Sequence, residues 1–450
     1  MEQSSVKPQF ESSADVIAAL DKEKVGYIRL LFTDVLGHMK GMTMTRSEIE
    51  GVLEEGQGFD GSSIQGYVRI EESDLMARPD ISTFRIVPWD VSDEKVALMF
   101  CRIENPDGSP FEGDPRNTLD RMLARIAKDG WTFNCGPEIE FFYFRDSSGT
   151  ELLDHDGYFD YSTVDEGARL RKKAVVALQQ LGIQVECSHH EVAPSQHEID
   201  LRYQPALTMA DFAMLYRFVV RETALQGGAF ASFMPKPIFG QNGSGMHTHM
   251  SLFKDGRNLF FDESDTEFHL STMARQFIAG ILKHIPEMTL VLNQWFNSYK
   301  RLVDGYEAPV YVSWGRRNRS SLVRVPQYRV GKEKATRIEL RSPDPACNPY
   351  LAFTVMLAAG LKGIDEGYEL AEPVEQNIFH MDESERAKLG IKSLPSSLAE
   401  AINLFEASSL MRDVLGKHIF TSLIANKRAE QDKFRTRITD VELAEYLPIL

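Results

Sequence analysis

Short apolar runs separated by turn residues dominate the first quarter of the chain. Runs rich in β-branched and aromatic residues are typical of strands, and they occur at residues 25–32, 84–88 and 96–101. Residues 105–110 then combine asparagine, aspartate, glycine, serine and two prolines, a composition that favours a connector between domains. We therefore predict a first domain over residues 1–109 and a second over residues 110–450.

Helical periodicity begins directly after this connector. Asp114 suits a helix N-cap and Pro115 the first helical position, and an apolar stripe then extends to Gly130. The stripe consists of Leu119, Met122, Leu123 and Ile126. A second helix is predicted from about Gly167 to Gly182. Later helices are predicted at residues 209–224, 272–284 and 350–364, and after a capping box at residues 397–400. Strand-like segments lie between these helices, so the second domain is predicted to be α+β.

Charge and cysteine content narrow the class of protein. With 50 Lys and Arg against 66 Asp and Glu, the 450-residue chain has a formal net charge of −16, whereas nucleic-acid binders usually present a basic face. No stretch approaches the roughly 18 consecutive apolar residues of a membrane span, and residues 1–11 lack the apolar core of a secretory signal. The cysteines have neither metal-site nor disulfide spacing. We expect a cytoplasmic protein that binds no nucleic acid and no membrane.

Charged residues interrupt one predicted strand of the second domain at intervals of two. In residues 136–142, Ile139 and Phe141 point to one face, and Glu138 and Glu140 point to the other. Two carboxylates about 7 Å apart at Cα on an apolar strand resist burial unless cations neutralise them. The strand therefore has either a solvated outer face or a face that binds cations.

Polar side chains with related spacing recur in three further segments. They are His247 with His249, Arg337 with Glu339 and Arg341, and Glu191 with Glu198. Each alone is compatible with an ordinary surface or core position. Together, carboxylates and imidazole suit Mg²⁺ or Mn²⁺ better than a structural zinc, and arginines suit carboxylate or phosphate groups. A basic group at residues 316–324 is either a phosphate clamp or a solvated face. Phosphoryl transfer and metal-assisted hydrolysis both stay open at this point. No Walker-type loop is present, so any nucleotide would not be held in a Walker-type cradle.

Six segments together resemble the motifs of type I glutamine synthetases. They are residues 59–63 (FDGSS), 136–142 (GPEIEFF), 242–247 (NGSGMH), 297–309 (NSYKRLVDGYEAP), 318–320 (NRS) and 337–345 (RIELRSPDP). Their order and spacing cover nearly the whole chain. The resemblance implies an α+β protein with a small N-terminal β-grasp domain and a larger catalytic domain. It also implies a homo-dodecamer of two stacked hexameric rings, with active sites between neighbouring subunits.

The resemblance also implies a set of site residues. Two divalent cations, Mg²⁺ or Mn²⁺, would be held by Glu140, Glu191 and Glu198 in one site and by Glu138, His247 and Glu339 in the other. The ATP-binding positions are Glu186, His249, Ser251, Arg319, Arg324, Lys334 and Arg337. L-Glutamate would contact Asn242, Gly243, Arg301 and Arg341. The ammonium pocket corresponds to Asp60, Ser63, Tyr158, Glu191 and Glu307. The catalytic positions are Asp60, Glu307 and Arg319.

The implied reaction is the ATP-dependent amidation of L-glutamate by ammonium. A free carboxylate is a poor electrophile, so it first takes the terminal phosphoryl group of ATP, and cations stabilise the transferring charge. Asp60, reaching from the neighbouring subunit, would accept a proton from ammonium. Glu307 would shield the γ-glutamyl phosphate from water. The products would be L-glutamine, ADP and phosphate.

Four features bear on regulation, substrate affinity and assembly. Phe379 stands where adenylylated relatives carry the acceptor tyrosine, so this modification would have no hydroxyl to use. Arg69 stands where the alpha subgroup carries an arginine that mediates feedback by glutamine, although a surface arginine paired with Glu71 or Glu72 is the alternative. Asp304 replaces a proline common in relatives and should loosen its loop slightly. The apolar residues 447–450 either dock into the opposing ring or stay free.

Two other functions stay open. A γ-glutamyl ligase that uses a polyamine or ethanolamine would share the metal and ATP residues, but such relatives tend to depart at the ammonium pocket, which is retained here. A catalytically inactive relative with a structural or nitrogen-sensing role would usually lack a metal ligand, and all six are present. We expect a glutamate–ammonia ligase. Some alpha-type relatives also bind nitrogen-regulatory proteins, so such partners are possible here as well.

Overall fold

A computed structural model describes residues 10, 12–64, 66, 74–89, 94–163, 165–316, 318 and 320–450. The predicted residues Arg69 and Arg319 lie outside the described residues, and so do Glu71 and Glu72, the alternative partners of Arg69. Within the described ranges the strands form two sheets, and the largest hydrophobic cluster lies between the second sheet and its helices. A smaller hydrophobic cluster belongs to the first sheet.

The first sheet is built from the N-terminal part of the chain. Its strands are β1 (Val25–Thr33), β2 (Met39–Thr45), β3 (Gln57–Asp60), β4 (Asp74–Pro79), β5 (Arg85–Ile86) and β6 (Lys95–Glu104), in the order β2-β1-β6-β4-β3 with β5 also on β6. β1 and β6 run parallel, and the other pairs are antiparallel. Two helices accompany the sheet, α1 (Ser13–Lys22) and α2 (Ile49–Glu55). Leu20, Ile28 and Val52 share its buried core, so the small domain has a hydrophobic centre of its own.

The second sheet carries the charged strands singled out above. Its strands are β7 (Trp131–Phe144), β8 (Val185–His190), β9 (Gln196–Leu201), β10 (Gln204–Pro205), β11 (Phe230–Ser232), β12 (Met246–Lys254), β13 (Arg257–Asn258), β14 (Tyr311–Gly315), β15 (Ser321–Arg324), β16 (Ile338–Leu340) and β17 (Lys392–Ser393). The main path is β17-β14-β15-β16-β12-β7-β9-β8. The long strand β7 therefore lies between β12 and β9, next to two of the other predicted polar segments.

Helices flank this sheet and continue to the C-terminus. They are α3 (Pro115–Ala127), α4 (Glu166–Gln180), α5 (Ala206–Gln226), α6 (Thr272–Leu292), α7 (Ser298–Arg301), α8 (Pro349–Asp365), α9 (Glu383–Lys388), α10 (Leu398–Ala407), α11 (Ser409–Arg435) and α12 (Asp440–Tyr446). Short 3₁₀ helices occur at Ile81–Thr83, Glu333–Ala335 and Ile378–His380. Among the described residues, no helix is both long enough and apolar enough to cross a bilayer.

The two central helices α6 and α8 cross at very short range. A Cβ atom built on Gly280 would lie 2.1 Å from the carbonyl oxygen of Ala359, and one built on Gly363 would lie 2.1 Å from that of Gln276. Glycine at both positions allows the backbones to touch. The crossing therefore depends on the absence of two side chains.

The predicted elements differ from the observed ones at a few boundaries. The helix predicted to end at His284 continues through Pro286 to Leu292, because buried residues such as Met288 extend its apolar face into the core. The predicted strand at 84–88 contributes only two paired residues. The capping box at Ser397 is incomplete, since the Glu400 carboxylate accepts from the N–H of the preceding residue, 396, at 2.8 Å rather than from Ser397.

Two surface features follow from burial. Cys187 on β8 is exposed, whereas Cys101, Cys135 and Cys347 are buried. At the C-terminus, Leu450 is 97% exposed, and Leu447 and Ile449 are also exposed. The rest of the described chain leaves these last apolar side chains uncovered.

Candidate active site

The strand registers bring the predicted acidic and histidine residues together. Glu138 on β7 is paired with His247 on β12, and Glu140 on β7 is paired with Glu198 on β9. Glu339 on β16 reaches the same region because β16 pairs with β12. Glu140 is buried and Glu138 half-buried, so this face of the strand is not a solvated surface. The expected arrangement of charged side chains on one face of a sheet is therefore present.

The first acidic cluster consists of Glu138, His247 and Glu339, whose potential ligand atoms lie within 4.8 Å of one another. His249 Nε2 contacts Glu138 Oε1 at 2.7 Å. The fully buried Glu339 carboxylate accepts two charge-assisted hydrogen bonds, from Arg324 Nε at 2.5 Å and Arg341 Nη1 at 2.6 Å. These contacts fix the positions of the Glu138 and Glu339 carboxylates.

The second acidic cluster consists of Glu191, Glu198 and His189, which also meet within 4.8 Å. His189 Nε2 lies 3.2 Å from Glu198 Oε1, and its Nδ1 lies 3.4 Å from Glu191 Oε1. His189 was not among the predicted site residues. Glu140 lies beside this cluster but outside it, and its Oε2 accepts from Gln196 Nε2 and from the N–H of Gly245, both at 2.9 Å.

The pKa values separate the carboxyl groups into two sets. Burial would raise the pKa of Glu138, but hydrogen bonds from His247 and His249 outweigh it and lower this pKa. The pKa of Glu339 is likewise lowered to about 2 against the effect of burial, by nearby His249 and the two arginines. Burial raises the pKa of the other three groups, Glu140 to about 7, Glu191 to about 8 and Glu198 well above its usual range. Neighbouring Glu140 adds to the shift of Glu191 and Glu198. This second set lacks enough positive charge, and divalent cations would supply it.

A polar cavity of about 210 Å³ connects the two clusters. Its predicted lining residues are Glu138, Glu140, Tyr158, Glu191, Glu198, Asn242, Gly243, His247, Arg301, Glu307, Arg324, Glu339 and Arg341. The buried Arg301 donates to the carbonyl oxygens of Ser342 at 2.7 Å and Arg341 at 3.3 Å, which fixes its guanidinium at the cavity wall. Glu307 has φ +58°, a backbone conformation that is uncommon outside glycine.

Other predicted residues lie outside this cavity in the described part of the chain. His249 contacts Glu138 and accepts from Arg337 Nε at 3.2 Å, so these two residues form a layer next to the first cluster. Glu186 and Lys334 are exposed, and Ser251 is buried on β12. On the small domain, Asp60 and Ser63 are exposed, and Asp60 Oδ1 accepts from the N–H of residue 62 at 2.8 Å.

Several cavity residues were missed from the sequence. They are His189, Gln196, Asp200, Tyr306 and Ala308. Gln196 and Asp200 lie two residues on either side of Glu198, so the strand period itself contained a signal for them. Asp304, expected to loosen its loop, accepts a hydrogen bond from Tyr311 Oη at 3.1 Å. This contact restrains the loop where the usual proline is missing.

Comparison with known proteins identifies the family. The family model described as glutamine synthetase, beta-Grasp domain, matches residues 24–106, and that described as glutamine synthetase, catalytic domain, matches residues 112–446. Glutamine synthetase of Mycolicibacterium smegmatis is 49% identical over 440 residues, which are 96% of this chain and 98% of that protein. Glutamine synthetase of Thermotoga maritima is 47% identical over 432 residues, which are 95% of this chain and 98% of that protein.

Solved structures show the same architecture. An ADP complex of GmaS has a TM-score of 0.88 at 29% identity and covers 96% of this chain and 99% of its own. Glutamine synthetase of Plasmodium falciparum has a TM-score of 0.87 at 25% identity and covers 97% of this chain and 99% of its own. The chain thus has an N-terminal β-grasp domain and a larger catalytic domain, as predicted. It belongs to the glutamine synthetase family, and this membership implies ATP as co-substrate and a divalent cation.

Proposed function

We propose that the protein catalyses the ATP-dependent amidation of L-glutamate by ammonium through γ-glutamyl phosphate, giving L-glutamine, ADP and phosphate. The observation that carries this proposal is one cavity that joins two acidic clusters to the buried guanidinium groups of Arg301 and Arg341. Such a cavity suits anionic substrates only when cations balance its own carboxylates. The near-full-length identity of 49% to glutamine synthetases supports the same reaction.

The acidic clusters are the proposed sites for two divalent cations, Mg²⁺ or Mn²⁺. Glu138, His247 and Glu339 would hold one. Glu191 and Glu198 of the second cluster, together with the neighbouring Glu140, would hold the other, and His189 lies within reach of the same ion. Carboxylate oxygens and neutral imidazole match the preferences of these cations. When bound, the cations neutralise the phosphate charge of ATP and the charge that develops during phosphoryl transfer.

The arginines are the proposed anchors for the two anionic substrates. Arg301 and Arg341, with Asn242 and Gly243, would bind glutamate, because guanidinium groups pair well with carboxylates. ATP phosphates would contact residues along β15 and β16 and the segments that flank them. The proposed phosphate contacts are Arg319, Arg324, Lys334 and Arg337. Glu186 on β8, with His249 and Ser251 on β12, would lie along the rest of the nucleotide. Arg319 would also stabilise the charge on the transferring phosphoryl group.

An anionic pocket is the proposed site of ammonium. Tyr158, Glu191 and Glu307 line the cavity, and Asp60 and Ser63 would join them from a neighbouring subunit. Asp60 would accept the proton that ammonium loses before attack. Glu307 would close over the intermediate and exclude water. The exposed positions of Asp60 and Ser63 on the protomer are consistent with a role across an interface.

The same proposal extends to assembly and regulation. We propose a cytoplasmic homo-dodecamer of two hexameric rings, with a small domain over residues 1–109 and a catalytic domain over residues 110–450. The exposed Leu450 and its apolar neighbours support docking of the C-terminus into the opposing ring. Phe379 has no hydroxyl for adenylylation. Arg69 is the proposed mediator of feedback by glutamine, and an Arg69→Ala variant that stays equally sensitive to glutamine would exclude that role.

The identity of the amine is the first point to test. We would measure phosphate release from ATP and glutamate with ammonium, putrescine or ethanolamine, together with the amide product. Ammonium should be the efficient acceptor. Release with an organic amine but none with ammonium would instead identify a γ-glutamyl-amine ligase. No turnover with any amine would favour an inactive relative with a nitrogen-sensing role.

The proposed proton acceptor can be tested with a matched pair of variants. Asp60→Ala should lose amide formation while it still binds ATP and divalent cation, because Asp60 is assigned only to the second step. Asp74→Ala is the control, since Asp74 is an exposed aspartate directly opposite Asp60 in the β3–β4 register. Equal loss in both variants would contradict a specific role for Asp60.

A further inference from the structure

A buried carboxylate behind the second acidic cluster has no role in the reaction as proposed. Asp154 lies in the segment between β7 and α4 and is 6% exposed. Its Oδ1 accepts from His190 Nε2 at 2.8 Å and from the N–H of Ser195 at 2.9 Å. Its Oδ2 lies 3.3 Å from His197 Nε2. One side chain thus joins the end of β8, the start of β9 and the turn between them.

The turn held by Asp154 has a constrained backbone. Ser195 has φ +60°, in the left-handed region that residues other than glycine adopt only at a cost in free energy. Its Oγ accepts from the N–H of Leu153 at 2.7 Å and from the N–H of Asp154 at 2.9 Å. The turn and the Asp154 segment therefore restrain each other, because each donates backbone hydrogen bonds to a side chain of the other.

The two histidines connect this network to the second acidic cluster. His190 precedes Glu191, and its Nδ1 donates to the Glu191 carbonyl oxygen at 2.7 Å. His197 precedes Glu198, and its Nδ1 accepts from Arg171 Nη1 of α4 at 2.5 Å. Since arginine can only donate, His197 carries its proton on Nε2 and donates it to Asp154.

A third metal site is the competing interpretation of the same group, since Asp154, His190 and His197 also offer atoms within 4.8 Å of one another. Two contacts argue against it. The 2.8 Å separation of His190 Nε2 and Asp154 Oδ1 is that of a direct hydrogen bond and is shorter than the roughly 3.3 Å between ligand atoms around a tetrahedral zinc. The Arg171 cation also lies against His197. The contacts favour a hydrogen-bonded support.

We propose that Asp154 is a positioning residue: by fixing both ends of the β8–β9 turn, it sets the separation of Glu191 and Glu198 and so the cation affinity of the second acidic cluster. The inference rests on the proposed function only in that this cluster is taken as a metal site. Outer partners of this kind typically change metal affinity by 10- to 100-fold when they are altered.

The test is calorimetric titration of the full-length protein with Mn²⁺. Asp154→Asn keeps the volume and one acceptor oxygen but turns its NH₂ donors toward the His197 Nε2–H. We expect the variant to bind Mn²⁺ about tenfold to a hundredfold more weakly at one class of site, with the other class unchanged. Excess Mn²⁺ should restore activity, a rescue that a misfolded variant would not show.

Two further variants keep the test decisive. Asp211→Asn is the control for loss of a buried carboxylate, because Asp211 bonds to Arg116 and Tyr350, and it should leave both Mn²⁺ classes unchanged. Ser195→Ala removes the bonds that the backbone N–H groups of Leu153 and Asp154 donate to Ser195 Oγ and leaves the carboxylate of Asp154 intact. It loosens the attachment of the turn to the Asp154 segment from the other side, so it should reproduce the selective weakening if Asp154→Asn fails to fold. Unchanged affinity in the Asp154 and Ser195 variants, or equal weakening of both classes, would overturn the inference.

The outcome is separable from that of the proposed function. A wild-type protein that binds Mn²⁺ in two classes but forms no glutamine would overturn the proposed reaction and not the role of Asp154. An active protein whose Mn²⁺ affinity stays the same in the Asp154→Asn variant would overturn the role of Asp154 and not the proposed reaction.

Discussion

Binding of a divalent cation to the cavity should release protons at neutral pH. Burial raises the pKa of Glu140 to about 7 and of Glu191 to about 8, and burial together with nearby Glu140 raises that of Glu198 well above its usual range. A cation binds the deprotonated carboxylate. Each of these groups that is protonated beforehand must therefore lose its proton when the site fills.

The size of the effect follows from these pKa values. At pH 7, a group with a pKa of 8 is about nine-tenths protonated and one with a pKa of 7 about half protonated. Glu191 and Glu140 alone should therefore release about one to two protons per subunit at pH 7 and almost none at pH 9. The raised pKa of Glu198 acts in the same direction. Glu138 and Glu339 have lowered pKa values and contribute none. Near pH 7 the apparent cation affinity should then rise by at least about tenfold per pH unit.

Calorimetry in several buffers measures this release directly. The observed binding enthalpy is plotted against the ionisation enthalpy of the buffer, for example phosphate and Tris at the same pH, and the slope gives the number of protons. Glu191→Gln should lower the slope by about one proton. Glu166→Gln, an exposed acid on α4 paired with Arg145, should leave it unchanged. An enthalpy independent of buffer, or a slope insensitive to Glu191, would refute the reasoning.

Three other predictions concern stability. Metal-free protein should lose thermal stability as pH rises from about 5 to 8, because the folded state holds carboxyl protons that the unfolded chain has released, and scanning calorimetry with Mg²⁺ should show the loss reversed. Glu339→Gln would leave two guanidiniums without their carboxylate and should destabilise metal-free protein by about 3–5 kcal/mol. Glu104→Gln is the control, because Glu104 pairs with Arg78 where both side chains are partly exposed, and it should cost less than about 1 kcal/mol. Equal shifts in the thermal midpoint of the two variants would contradict this prediction. Gly280→Ala should destabilise the protein by about 1–3 kcal/mol through overpacking. Gly51→Ala is the control, because Gly51 has open space around it, and it should stabilise the protein by up to about 1 kcal/mol. A thermal midpoint unchanged by Gly280→Ala would show that α6 and α8 can separate without cost.

Patterns that repeat along a whole element were enough to predict most of the fold. The N-cap Asp114 and the glycine after the next helix, Gly182, mark real boundaries, and Asp114 accepts from the N–H of residue 116 as expected. The predicted end of α6 was wrong: Pro286 suggests that the helix stops, but burial of the turns that follow stabilises the helix as far as Leu292. Local sequence signals do not include that tertiary contribution.

The site was predictable to the extent that strand period decides which side chains share a face. Glu138 and Glu140 follow from that period alone. His189 does not, because its place opposite Glu198 depends on a register shift between residues 185 and 187 of β8. The role of Asp154 could not be predicted from local patterns either, because its partners His190, Ser195 and His197 lie about 40 residues further along the chain.

The exposed thiol of Cys187 gives this chain a natural attachment point for a spectroscopic label. The other three cysteines are buried, so a maleimide dye should react with the native protein at one position. Although Cys187 is exposed, its partial contact with the protein raises the pKa of its thiol by desolvation, and mildly alkaline conditions would speed the coupling. Because Cys187 lies two residues before His189 on the same strand, such a dye would sit close enough to follow ligand-induced movement of β8 by fluorescence, without an engineered cysteine.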